Sequence, residues 1–149
     1  MSISGKLLEL TPGIDDLTDI IYLDLNHFPR PWDPTEWSKL NPDNFLLYAW
    51  QNIGLDGFAL FQRVTGDETA HLLKICIDPN HRGKGLAQKL WDEIKQKLRS
   101  LDVKSVYLEV EKTNLNALKF YQKSGFLPLR EIKAYYSDGT SAMTMSLTL

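Results

Sequence analysis

A chain of 149 residues, 43% hydrophobic and 24% charged, has the make-up of a globular protein, and residues 1–149 are expected to form one domain with its own core. A net charge of -2 argues against general nucleic-acid binding, and the one cysteine, Cys76, excludes an intrachain disulfide and fits a reducing compartment. The longest apolar run, Phe45 to Trp50, is far too short to span a bilayer, and no basic segment leads into an apolar stretch and a cleavage site, so a cytoplasmic protein is expected.

In chain order, Lys6–Leu10 alternates weakly and reads as a first strand. Ile14–Asn26 follows Pro12-Gly13 and carries Leu17, Ile20, Ile21 and Leu25 at helical spacing. The stretch "FPRPWD", Phe28 to Asp33, is a proline-broken loop, and Pro34–Leu40 reads as a short second helix starting at its proline. Phe45–Trp50, Gly57–Val64 and Thr69–Ile77 read as three strands of an antiparallel meander, with a turn at Thr65–Glu68. A glycine-containing loop follows, then a helix running to about Leu101 with Leu86, Leu90, Ile94, Leu98 and Leu101 on one face.

Ser105–Glu111 alternates cleanly, with Val106, Leu108 and Val110 on one face and Tyr107, Glu109 and Glu111 on the other. A helix over Leu115–Ser124 closes at Gly125, and strands Phe126–Tyr136 and Ala142–Leu149 flank the turn signal "SDGT". The order is mixed α/β, with six to seven strands and about four helices. The strand–helix–strand unit around the glycine loop predicts a right-handed crossover between parallel strands.

That loop, Arg82-Gly83-Lys84-Gly85, sits where a strand ends and a helix begins. Free N–H groups and the helix dipole there favour an anion, and glycine lets the backbone approach phosphate oxygens closely. The P-loop spacing fails, because Asp78 stands where its first glycine belongs, and GxGxxG fails at Gln88. Charge is also divided along the chain. Up to Leu60 there are three basic and nine acidic residues, and the excess turns basic from Phe61 onward. An anionic ligand suits the second part and a cationic substrate the first.

Arg82-x-x-Gly85-x-Ala87 resembles the pyrophosphate loop of the Gcn5-related N-acetyltransferase (GNAT) family, written Q/R-x-x-G-x-G/A. Downstream, Asn114, Ala117, Phe120, Tyr121, Gly125 and Phe126 form an N-x-x-A-x-x-F-Y-x-x-x-G-F skeleton similar to the second half of that family's core. "HFPRPWDPTEW", "LEV" before Asn114, and Tyr135-Tyr136 resemble its ribosomal-protein-alanine N-acetyltransferase branch. The chain departs from that branch at Gly139-Thr140-Ser141-Ala142, where Gly-Glu-Asp-Ala is usual.

The resemblance implies a mostly antiparallel sheet with one parallel pair splayed at an acetyl-CoA site. It implies Glu109 as general base, directly or through water, and Tyr121 as general acid for the leaving thiolate. Coenzyme contacts fall on the backbone of Ile75, Cys76 and Ile77, on the loop Arg82, Gly83, Lys84, Gly85, Leu86 and Ala87, and on Asn114, which also reads as a helix N-cap. One β-strand N–H would polarise the thioester carbonyl. The acceptor is expected to be a protein N-terminus, or else a small amine or antibiotic, in a groove built from Phe28–Leu40 and Ala134–Thr140. A non-catalytic acyl-CoA-binding module is the remaining reading, and the presence of both Glu109 and Tyr121 argues against it.

Cys76 is expected to be a packing residue. His27, His71 and His81 share no metal-ligand spacing, so no metal is expected. Trp32, Trp37 and Trp50 are expected as core or loop anchors, the first two near the acceptor groove. A monomer or weak dimer is expected, with neither nucleic acid nor membrane as partner.

Overall fold

The computed structural model describes residues 3–149. Its elements are β1 (Lys6–Leu10), α1 (Thr18–His27), α2 (Pro34–Ser38), β2 (Phe45–Gln51), β3 (Leu55–Gln62), β4 (Thr69–Ile77), α3 (Leu86–Ser100), β5 (Ser105–Glu111), α4 (Leu115–Lys123), β6 (Leu127–Ile132) and β7 (Ala142–Thr148). The seven strands form one sheet in the order β1-β2-β3-β4-β5-β7-β6, antiparallel throughout except for the parallel pair β4 and β5. Among the described residues, no helix is long and apolar enough to cross a membrane.

Alternation on the strands supplies two cores, one on each face of the sheet. Val106, Leu108 and Val110 of β5 pack with Leu86, Leu90, Trp91, Ile94 and Leu98 of α3. Leu47, Ala49, Phe58, Leu60 and Cys76 pack on the other face with Ile20 and Leu23 of α1 and Trp37 of α2. Each fully buried Leu or Ile contributes about 1.5–3 kcal/mol of transfer free energy, so both layers hold firmly to the sheet.

The structure corrects several boundaries, among them β3, which runs Leu55–Gln62 rather than Gly57–Val64. α1 starts at Thr18 rather than Ile14, because Asp15 accepts from the Thr11 N–H at 2.6 Å and Asp16 from the Thr18 N–H at 2.9 Å. These side chains bind backbone that a longer helix would use, and Ile14 is left exposed. The inward side of α1 is Ile20, Leu23 and Asp24, while Leu25 faces solvent.

Leu101 is likewise outside the core, at the cap position that ends α3, and Trp91 takes a place in it instead. α2 ends at Ser38, capped at its start by the Asp33 carboxylate accepting from the Thr35 N–H. Finally, β6 stops at Ile132. Ala134 adopts a left-handed φ of 52° and Gly139 one of 88°, so residues 133–141 form a loop and not a tight hairpin. Tyr135 and Tyr136 leave the sheet as a result.

Candidate active site

The parallel pair is short. β4 and β5 are in register only at Thr69↔Ser105, Ala70↔Val106 and His71↔Tyr107. Beyond His71 the two strands diverge, and the β5-facing edge of β4 carries no strand partner among the described residues. A cleft of about 960 Å³ opens there, passing from the α1 side to the α3 and α4 side. Its lining includes Phe28 to Trp32, His71 to Ile77, Glu109 to Glu111, Tyr121, and Tyr135 to Ser137.

At the point of divergence, β5 alternation puts Tyr107, Glu109 and Glu111 on the face away from the α3 core. His71 Nε2 and Glu109 Oε2 lie 2.5 Å apart, each side chain 17% exposed. The imidazole also stacks on Tyr107 with centroids 4.2 Å apart. Glu109 is therefore held with one carboxylate oxygen engaged and the other available to the cleft.

Tyr121 enters the same cleft from α4 and is 9% exposed. Burial, and secondarily Tyr136, pushes its phenol well above the ordinary value, so the hydroxyl keeps its proton across neutral pH. Asn114 serves two purposes. Its side chain accepts from the Ala117 N–H at 3.2 Å, capping α4, and it lines the cleft.

The glycine loop closes one end. A single 3-10 turn at Pro79–His81, capped by Asp78, brings Arg82 back so that its Nε donates to the Ile77 carbonyl at 3.0 Å. Gly83 and Gly85 have φ of 74° and 83°, and nothing lies within 4 Å of where a Gly83 side chain would begin. Gly85 is the N-cap of α3 and supplies no side-chain cap, leaving the first-turn N–H groups of Leu86, Ala87 and Gln88 without a partner among the described residues. This is an open cradle of backbone donors of the kind that receives an anion. The same loop walls a second pocket of about 200 Å³, together with Phe120 and Lys123.

At the other end, the register between β3 and β4 slips at Leu73, and Lys74 faces α1. Its ammonium is buried and donates to Asp24 at 2.7 Å and to the Arg30 carbonyl at 3.1 Å. Phe28, Trp32 and Trp37 surround it, with the ammonium 4.3, 4.7 and 6.0 Å from their ring centroids. Burial lowers the Lys74 pKa, while the hydrogen bond and charge of Asp24 act against that. Asp24 also accepts from the Trp32 N–H at 2.8 Å, so this buried pair holds the proline-broken loop in place.

Of the residues expected from sequence, Ile75, Cys76, Ile77, Arg82, Gly83, Ala87, Glu109, Asn114 and Tyr121 converge on the cleft. Gly85 and Leu86 border the smaller pocket, Leu86 with its side chain buried against the sheet. Lys84 is exposed and lines neither pocket. Cys76 packs against α1, and burial pushes its thiol up to about 11, which suits a packing role. Trp32 borders the cleft whereas Trp37 is buried beneath it.

Sequence reading missed His71, Lys74, Asp24 and Arg30. The one sequence signal for His71 was its place on the strand predicted to pair with Ser105–Glu111. Lys74 and Asp24 are 50 residues apart, and each alone reads as surface charge.

Comparison with known proteins follows the same lines. The Acetyltransferase (GNAT) family matches residues 13–126. The [ribosomal protein bS18]-alanine N-acetyltransferase of Escherichia coli (strain K12) is 26% identical over 138 residues, spanning 90% of this chain and 92% of that protein. The crystal structure of the ribosomal-protein-S18-alanine N-acetyltransferase from Escherichia coli superposes with a TM-score of 0.83 at 24% identity, covering 96% of this chain and 94% of that one. Arabidopsis thaliana NAA60 in complex with acetyl-CoA shares the fold at a TM-score of 0.78 and 16% identity, over 97% of this chain and 100% of that one.

Proposed function

The chain belongs to the GNAT acetyltransferase family and is an N-acetyltransferase; from that premise we propose that it moves acetyl from acetyl-CoA to the α-amino group of a protein N-terminus, a ribosomal protein being the favoured class. What carries this reading is Glu109, held by His71 where β4 and β5 part, in one cleft with Tyr121 and the glycine cradle. The similarity over 138 residues to a ribosomal-protein-alanine N-acetyltransferase supports the acceptor class.

The proposed chemistry assigns each group one task. The cradle at Gly83 and Gly85 and the free N–H groups of α3 hold the pyrophosphate, and the open edge of β4 at Ile75–Ile77 aligns the pantetheine arm as an added strand. A β4 N–H polarises the thioester carbonyl. Glu109 takes a proton from the acceptor amine, directly or through one water, with His71 fixing the carboxylate. The amine nitrogen bonds to the carbonyl carbon, the carbon–sulfur bond breaks, and Tyr121 donates its hydrogen to the departing thiolate before regaining a proton from solvent. An α-amine has a pKa near 8 against about 10.4 for lysine, so more of it is neutral at physiological pH and a modest base suffices.

Tyr121→Phe is expected to lower kcat by about 10- to 100-fold with little change in thermal stability, because Phe fills the same space. Stopped-assay kinetics with unfolding curves check both halves. The reading itself is tested by coenzyme A release over N-terminal peptides, N-terminally blocked lysine peptides and small amines. Turnover of the first group supports it; turnover confined to polyamines or aminoglycosides rejects the protein acceptor and favours a small-molecule enzyme.

A further inference from the structure

One side chain crosses the mouth of the cleft between the 28–33 loop and the 133–141 loop. Arg30 donates from Nε to Glu111 at 2.5 Å and from its terminal nitrogen to Asp138 at 3.1 Å. Its guanidinium lies 3.9 Å from the centroid of the Tyr136 ring. The chemistry proposed above uses none of these four side chains.

The backbone of Glu111 and the carboxylate of Asp138 are set in place without help from Arg30. Glu111 ends β5 in register with Ala142 of β7, and Asp138 accepts from the Thr140 N–H at 2.9 Å. That backbone contact is the first cause of an Asp138 pKa lowered to about 2, with Arg30 contributing less. The nearby Lys112 is engaged by Glu131 and does not compete for either acid. Two neighbouring carboxylates on ordered backbone and an aromatic face make a receptor for a cationic group. A single guanidinium against two carboxylates leaves the mouth negative.

The contact is also open to exchange. Side-chain exposure is 29% for Arg30, 21% for Glu111 and 57% for Asp138, and ion pairs this accessible to water are weak. Arg30 itself is tethered at its carbonyl by Lys74, so it can swing out while the loop backbone stays. Glu111 follows Glu109 on the same strand face, about 7 Å further along at the usual rise per residue. A long basic side chain on the second residue of a bound peptide can span that distance from an amine at Glu109.

We infer that Glu111, Asp138 and Tyr136 form a subsite for a basic side chain at the second position of the acceptor, and that Arg30 occupies it until the acceptor displaces it. Arg30 is then a specificity-determining residue, an internal competitor that admits acceptors able to replace its charge. The inference rests on the α-amine reading.

The test uses three peptides alike except for Arg, Gln or Glu at position two, with coenzyme A release as the readout. The unaltered enzyme should favour the Arg peptide over the Gln peptide by about tenfold in kcat/KM. Arg30→Gln should lower KM for the Arg peptide about three- to tenfold without helping the Glu peptide. Glu111→Gln should shrink the preference below about twofold, and Asp138→Asn, on a surface loop, should weaken it in the same direction. Equal kcat/KM for all three peptides overturns the subsite while leaving the α-amine reading intact. So does an Arg30→Gln enzyme that loses activity equally on all three, since that marks a structural brace. Turnover of small amines with none of the peptides would reject the α-amine reading, and the subsite with it.

Discussion

Glu109→Gln is expected to reduce kcat by about 100- to 1,000-fold while leaving acetyl-CoA affinity and the unfolding temperature almost unchanged. A positioned general base contributes typically 10²–10⁴-fold, and the amide cannot take up a proton. The fold should tolerate the change, because the Gln amide can accept from or donate to His71 Nε2 and the side chain has nearly the same volume. Residual activity should rise with pH up to the α-amine pKa near 8, as the acceptor loses its proton to solvent instead. Titration calorimetry with coenzyme A separates binding from chemistry, and unchanged kcat in this variant would remove Glu109 from the mechanism. His71→Gln, which keeps a donor near the carboxylate, should cost less than the loss of Glu109 itself.

Lys74→Met should destabilise the protein by about 3–5 kcal/mol, the cost of leaving a buried charge without its partner. For a chain of this size that is a fall of roughly 6–20 °C in Tm. Asp24 has no exposed side-chain surface, and after the substitution its carboxylate keeps only the Trp32 N–H. The same change releases the Arg30 carbonyl and takes the cation away from the rings of Phe28, Trp32 and Trp37. The double variant Asp24→Leu with Lys74→Met should recover much of the lost stability, since apolar replacement of both partners removes the desolvation cost. Even so, it should not recover activity on peptides in full, because the 28–33 loop loses both of its anchors. Thermal unfolding of the single and double variants decides between a stabilising pair and a mere surface contact.

The fold was legible in the sequence where a single period ran without interruption. β1, β4 and β5 begin and end where alternation and turns put them, and the parallel pair followed from the strand–loop–helix–strand order. Boundaries failed where side chains bind the backbone locally. Asp15 and Asp16 delay α1, and Ala134, left-handed without being glycine, ends β6 early. The same break turned an expected tight hairpin into the loop that carries Tyr136 and Asp138 to the cleft.

The glycine loop that we propose holds the coenzyme lies where the sequence put it, between β4 and α3, because its shape depends on Gly83, Gly85 and the start of α3. The acceptor end was not legible in this way. His71 meets Glu109 across 38 residues, Lys74 meets Asp24 across 50, and Arg30 meets Glu111 across 81. Such pairs depend on strand register and on a slip at Leu73, which one-dimensional spacing does not encode. The acidic excess before Leu60 pointed to a cationic acceptor in the first part of the chain, whereas the carboxylates of the proposed subsite, Glu111 and Asp138, both lie after it.

We propose that this enzyme acetylates an α-amine. It is tested most directly by offering one peptide that carries a free N-terminal alanine, arginine at position two and an internal lysine, then locating the product acetyl group by fragment mass spectrometry. Acetyl is expected on the alanine nitrogen, with the lysine unmodified at single turnover and the rate of labelling about 100-fold or more lower in Glu109→Gln. Acetyl on the lysine side chain, or no peptide product while a small amine is consumed, would contradict it.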